Sequence, residues 1–163
     1  MEWERKWQDG VAGVAALFDK LPPAELARLR PLALAMRRRK EEMQELASAV
    51  DAATHCAGCG GACCVSGKYH FTGVDLLVFL VSREHLFVPR FDNGLCPYLG
   101  DARCLIAAGY RPFNCITFIC DLIEDQLPRD QVSRFYQMER ELRKNYGEIA
   151  SLFPSGGVAG SLL

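Results

Sequence analysis

Along residues 2–20 the apolar positions Trp3, Trp7, Val11, Val14, Ala15 and Phe18 recur at steps of three and four. That spacing lines one face of an α-helix and predicts an amphipathic helix here. It stops at Leu21, Pro22 and Pro23, because proline lacks the N–H that would carry the ladder on. Pro23 suits the first turn of a second helix. Pro31 predicts the opening of a further one, running through the strong helix formers of residues 32–53. Residues 1–53 therefore read as an N-terminal helical arm. At the other end Val132, Phe135, Tyr136, Met138, Leu142, Tyr146, Ile149 and Leu152 keep helical intervals, so residues 129–152 predict a long amphipathic helix. Pro154, Gly156 and Gly157 follow it, and residues 153–163 are expected to form a flexible tail.

Between these helices, residues 54–128 lose the long period. Thr72 followed by Asp75 has the spacing of a helix N-cap, and "GVDLLVFLVSRE" after it predicts a short, largely buried helix. "FVPRF" and "CPYL" read as extended, the second introduced by the turn residues Asp92, Asn93 and Gly94. Gly100 and Asp101 would turn that segment back into "RCLI", giving a small β-hairpin. The fold class is mainly α: a single domain with an irregular cysteine-rich metal-binding centre and room for that hairpin.

With 163 residues, half of them apolar, the chain can bury one core of its own. A net charge of −1 sets up no field toward nucleic acid or an anionic membrane. The longest uncharged N-terminal stretch, residues 10–18, is preceded by Glu2, Glu4 and Asp9 and lacks a following cleavage pattern, so the N-terminus reads as mature protein. No stretch approaches the roughly 18 to 20 apolar residues of a membrane span. The expected compartment is the reducing cytoplasm, where cysteines stay thiols unless a metal takes them.

All eight cysteines and eight of the fourteen glycines fall within residues 54–128. The spacing is Cys56-x2-Cys59-x3-Cys63-Cys64, then Cys96, Cys104, Cys115 and Cys120. A Cys-x2-Cys pair closes around one ion because its two intervening residues make a tight turn that aims both sulfurs inward, and Gly58 and Gly60 suit such turns. Glycines also let backbone N–H groups approach thiolate sulfur. Adjacent side chains such as those of Cys63 and Cys64 tend to point apart, so the two are expected to serve two centres, or one of them is a spare thiol. Eight sulfurs satisfy two four-sulfur sites, or one such site and four buried thiols. A disulfide framework belongs to short secreted chains, and a single catalytic thiol beside His55 has no use for seven others. For Cys120 in "ITFICDLI" a packing role competes evenly with ligation.

Cys-x2-Cys-x3-Cys-Cys, followed by "GLCPYL", "CLI" and "YRPFNC", resembles the cysteine-cluster family with a zinc- or iron-chelating domain, whose members are often labelled iron-sulfur oxidoreductases. The likeness runs from Cys56 to about Cys115. It implies metal ligation by Cys56, Cys59, Cys63, Cys64, Cys96, Cys104 and Cys115, with Arg111 and Pro112 as the accompanying element. The chain departs from the pattern where "AAG" replaces the usual tyrosine after "CLI", and in the additional Cys120. A similar domain occurs in flagellin lysine N-methylases, so the resemblance fixes no reaction.

Four thiolates around a divalent ion leave a charge of about −2, which nearby cations would offset. Arg111 is the foremost candidate, counted as cofactor-binding, with Arg103 and Lys68 beside it; the plainer role for Arg111 is a hydrogen bond to a loop carbonyl. His70 could replace a sulfur in a mixed site, against the plainer reading of a surface or hairpin histidine, which also suits His85. "RRRK" at residues 37–40 reads as a solvated helix face. The expected function is metal binding through clustered thiolates holding an iron-sulfur cluster or zinc, with a redox or electron-transfer role and an unidentified redox or protein partner. The alternative is a zinc-stabilised interaction module that uses the long C-terminal helix for docking. No catalytic residue is identifiable.

Overall fold

The computed structural model describes residues 1–51, 66–92, 94–101 and 103–163. Among them are six α-helices: α1 (Glu2–Asp19), α2 (Pro23–Ser48), α3 (Gly73–Ser82), α4 (Phe113–Thr117), α5 (Asp121–Glu124) and α6 (Arg129–Ser151). The predicted helices at both ends and the short capped one are all present. No strand of regular length occurs among the described residues. The expected hairpin is reduced to one antiparallel bridge, Leu99 with Cys104, closed by Gly100 N–H to the Arg103 carbonyl at 2.7 Å and Leu105 N–H to the Tyr98 carbonyl at 2.7 Å.

Three expectations are corrected. Pro31 does not open a helix; it lies inside α2. Pro31 and Ala27 are both exposed, so the carbonyl that loses its donor faces water, and the helix passes through at reduced cost. The C-terminal segment is not loose: Val158, Leu162 and Leu163 are buried. It lies along the entry to α3, where Val74 N–H reaches the Val158 carbonyl (2.9 Å), Gly73 N–H the Gly160 carbonyl (3.3 Å) and Leu162 N–H the Phe71 carbonyl (3.0 Å). Its three apolar side chains outweigh the ordering entropy of a short segment. The third correction concerns "RRRK", below.

α2 and α6 form an antiparallel pair, since Arg39 reaches Glu141 and Asn145 while Arg134 reaches Glu42. On α2 the buried positions are Leu29, Ala33, Met36, Lys40 and Met43, a seam of alternating four- and three-residue steps. On α6 they are Phe135, Met138, Leu142, Asn145 and Ile149, so the apolar face suggested as a docking element is consumed by packing. α1 packs on α3, which is buried on all sides from Gly73 to Phe79. Aromatic rings join these helices to the irregular half: Trp7, Phe71, Phe87 and Tyr98 pack with centroids 5.3–5.9 Å apart, and Phe79 meets Tyr110 at 4.6 Å.

Lys40 occupies the centre of the seam and is fully buried. Its ammonium donates to the Arg111 carbonyl (2.5 Å) and the Tyr146 hydroxyl (2.8 Å) and pairs with Asp75 at 3.4 Å. The Tyr146 hydroxyl donates to the same Asp75 oxygen. The other Asp75 oxygen accepts from Thr72 N–H and Oγ1, both at 2.9 Å, completing the cap of α3. Of the four basic residues expected on a solvated face, only Arg38 is exposed. Arg37 stacks 4.7 Å above the Tyr110 ring and Arg39 is paired. The reason is that α2 is covered from three directions, by α6, α3 and the 3-10 turn Ala108–Tyr110.

Two glycines offer a test of the packing. A Cβ at Gly73 would meet backbone atoms of Val158 at 2.6–3.0 Å, whereas one at Gly13, inside α1, meets nothing within 4 Å. Gly73→Ala is expected to cost about 1–3 kcal/mol and Gly13→Ala to stabilise by about 0.5–1 kcal/mol, read by urea unfolding. Two changes of the same sign would refute the packing of the C-terminal segment on α3.

Burial raises Tyr98, and so, in lesser degree, do the charges of Cys96, Asp75 and Cys115 that face it. Tyr146 is likewise held well above the usual range, first by burial and then by Asp75. A folded-state pKa above the unfolded value of about 10 means stability that is whole below pH 10 and is lost as pH climbs. Lys40 is shifted the other way, lowered by burial with Asp75 opposing, so its share grows as pH rises toward about 10.4. The unfolding free energy is therefore expected to drop above pH 10, and Tyr98→Phe or Tyr146→Phe to reduce that slope by up to about 1.4 kcal/mol per pH unit each. Stability that stays level from pH 10 to 11 would contradict the burial of these hydroxyls.

Candidate metal centre

The described chain resumes at Ser66 and makes a single 3-10 turn, Gly67–Tyr69, that ends on His70. A Cβ on Gly67 would stand 2.6 Å from the Cys96 sulfur. A side chain there would displace the Cys96 sulfur, so Cys96 packs directly against the backbone of this turn. Lys68 offers its carbonyl to the Tyr98 hydroxyl (3.2 Å). His70, at the end of the turn, places Nδ1 3.4 Å from the Cys115 sulfur. Residues 66–70 thus run between Cys96 on one side and Cys115 on the other.

Cys96 is buried, Cys104 and Cys120 are half-buried, and Cys115 is exposed. Burial pushes the Cys96 thiol up; a hydrogen bond from the Tyr98 backbone N–H to its sulfur acts against this, and the nearby Cys104 adds to the rise. Cys104 owes its place to the bridge with Leu99. Cys115 sits in the single turn of α4, which starts after Pro112 and is anchored where Arg111 passes its carbonyl to Lys40. Cys120 occupies the N-cap of α5. Loss of hydration lowers His70, which favours the neutral imidazole that binds metals.

Cys56, Cys59, Cys63 and Cys64, half of the predicted ligand set, lie outside the described residues. Among the described residues no group of three or more His, Cys, Asp or Glu is gathered closely enough to hold an ion. The described structure brings Cys96 and Cys104 near each other and Cys115 to His70. Soft thiolates with an imidazole are a donor set that zinc and iron both accept, and in type these residues fit either.

The Arg111 guanidinium donates to the Ile106 carbonyl (3.0 Å) and to Gln44 (2.8 Å). Lys68 lies over the rings of Trp3 (4.8 Å) and Tyr69 (4.9 Å). Arg103 and His85 are exposed. The buried cation felt by Cys115 is Lys40, which sequence reasoning passes over because three arginines precede it. The signal is there: Lys40 keeps step with Leu29, Ala33, Met36 and Met43, so its position is interior by phase. Asp75 is visible in the chain only as a cap, and its second oxygen, turned to Lys40 and Tyr146, has no signature there.

Among the described residues no helix is long and apolar enough to cross a membrane. No family model matches the chain, and neither a curated protein nor a solved structure matches it.

Proposed function

We propose that this protein binds metal through clustered cysteine thiolates, as an iron-sulfur cluster or as zinc, with a redox role when iron is held. The observation that carries the reading is the course of residues 66–70. The stretch leads directly out of the four-cysteine segment, rests on the Cys96 sulfur through Gly67 and faces the Cys115 sulfur through His70. Further support comes from the Tyr98 N–H aimed at Cys96, the kind of amide contact that stabilises a ligating thiolate. Cys96, Cys104 and Cys115 would hold the group together with sulfurs of the Cys56 to Cys64 segment. An iron-sulfur cluster would supply one-electron transfer there, and zinc would supply a cross-link.

A second reading, the zinc-stabilised interaction module, draws on Phe118 and Leu122, exposed by 60% and 65% on either side of Cys120. Both belong to the cysteine-bearing end of the chain.

The energetics suit either form. A four-thiolate zinc site is worth roughly 10 to 16 kcal/mol, as much as the roughly 5 to 15 kcal/mol of a whole domain. Protein purified without oxygen is expected to carry stoichiometric iron, with brown colour that bleaches on reduction, or zinc without colour. Chelation under reducing conditions is expected to remove hydrogen-exchange protection from residues 66–70 and 104–120 while α2 and α6 keep theirs. A reduced, air-protected protein that folds fully with neither metal would overturn the proposal.

A further inference from the structure

We infer that His70 is itself a ligand of this centre, making it a mixed site in which the Nδ1 of His70 and the sulfur of Cys115 bind one ion side by side. The inference rests on the metal-binding reading above and adds a residue outside its cysteine set.

Geometry is the first argument. Metal–sulfur and metal–nitrogen bonds of about 2.3 and 2.0–2.1 Å, held at a tetrahedral angle, set the two donor atoms about 3.6 Å apart. The observed separation is 3.4 Å, so an ion can enter between donors that already stand at adjacent corners of its coordination polyhedron. The pair is also poorly suited to be a mere packing contact, because Cys115 is exposed and His70 borders an open cleft of about 330 Å3 between the 66–72 segment, α4 and α6. That cleft gives an ion a path to His70, while Cys115 is open to solvent in its own right. Ligation takes Cys115 as thiolate and His70 through an unprotonated Nδ1, so a thiol proton at Cys115 would leave to solvent as the ion enters.

Charge is the second argument, and it is independent of the distance. Four thiolates on a divalent ion carry about −2, whereas three thiolates and a neutral imidazole carry about −1. Of the nearby cations, Arg111 is bonded to Ile106 and Gln44, Lys68 lies over Trp3 and Tyr69, and Lys40, which Cys115 feels, is shared with Asp75. A neutral ligand at position 70 halves the charge left to be balanced. The same substitution of imidazole for sulfur is accepted by iron-sulfur centres.

Cobalt(II), added alone to the reduced metal-free protein under argon, tests this. Wild-type protein should give tetrahedral d–d bands with a thiolate charge-transfer band. In His70→Cys the charge-transfer intensity should rise by one thiolate's share and the d–d bands move to longer wavelength, since sulfur is the weaker-field donor. His70→Ala should bind cobalt at least about tenfold more weakly, and should it fail to fold, the spectral change in His70→Cys still decides. Cobalt spectra and affinity that are the same in wild type, His70→Cys and His70→Ala would overturn the inference while leaving the metal centre standing. A wild-type protein that takes up no cobalt would overturn both.

Discussion

The ammonium of Lys40, buried among Asp75, Tyr146 and the Arg111 carbonyl, is the contact on which the rest of the architecture turns. A charge taken out of water costs several kcal/mol unless its partners are well placed, and removing one partner of such a pair typically costs about 3–5 kcal/mol. Those partners come from α3, from α6 and from the segment just before α4. The network therefore accepts a single arrangement: rotating α2 by one residue, or sliding α6 by one turn, would strand the cation. Apolar side chains alone would tolerate several such arrangements with similar burial.

This constraint reaches the cysteines through Arg111. Its carbonyl is committed to Lys40, while its guanidinium spans Ile106 and Gln44. Pro112 follows with a fixed backbone angle and opens the short helix that carries Cys115. Asp75 holds the opposite side, capping α3 through Thr72, two residues after His70. One buried ion pair thus sets the two ends of the gap between His70 and Cys115. Arg111, expected either as a counter-charge for the centre or as a hydrogen-bond partner of a loop carbonyl, makes such a bond to Ile106, and its contacts tie the cysteine-bearing half to α2.

The regular helices are legible because period is a local property. α1 and α6 repeat their apolar positions over several turns, while α3 is marked by the Thr72 and Asp75 cap ahead of a continuous apolar run. What is not legible depends on which surfaces meet. Pro31 looks like a boundary until its exposed side is known, and Lys40 looks solvated until α3 and α6 close over it. The C-terminal "VAGSLL" carries too few apolar residues to announce its burial, yet Gly73 leaves room for its backbone and Phe71 offers it a carbonyl. For the cysteines, residue type raises metal ligation as an expectation while spacing leaves their grouping open. Pairing depends on loops whose course is set by contacts such as Gly67 with Cys96, and His70 has only its nearness to Cys64 to mark it.

The irregular half also has an organising centre of its own. Tyr98 lies among Trp7, Phe71 and Phe87, and its hydroxyl bonds the Lys68 carbonyl. It follows Cys96 by two residues, and its N–H is the group that faces that sulfur. The aromatic cluster therefore fixes the position of Cys96 through the protein's own packing. Cys104 rests on a lone bridge, whereas Cys115 is tied through Arg111 to the buried Lys40. Were metal bound as proposed, the ordering it adds would be slight around Tyr98, where rings already pack, and larger along the segment that delivers Cys104. A metal centre of the kind proposed would then start from one preformed wall at Cys96, with fewer ligands left to assemble.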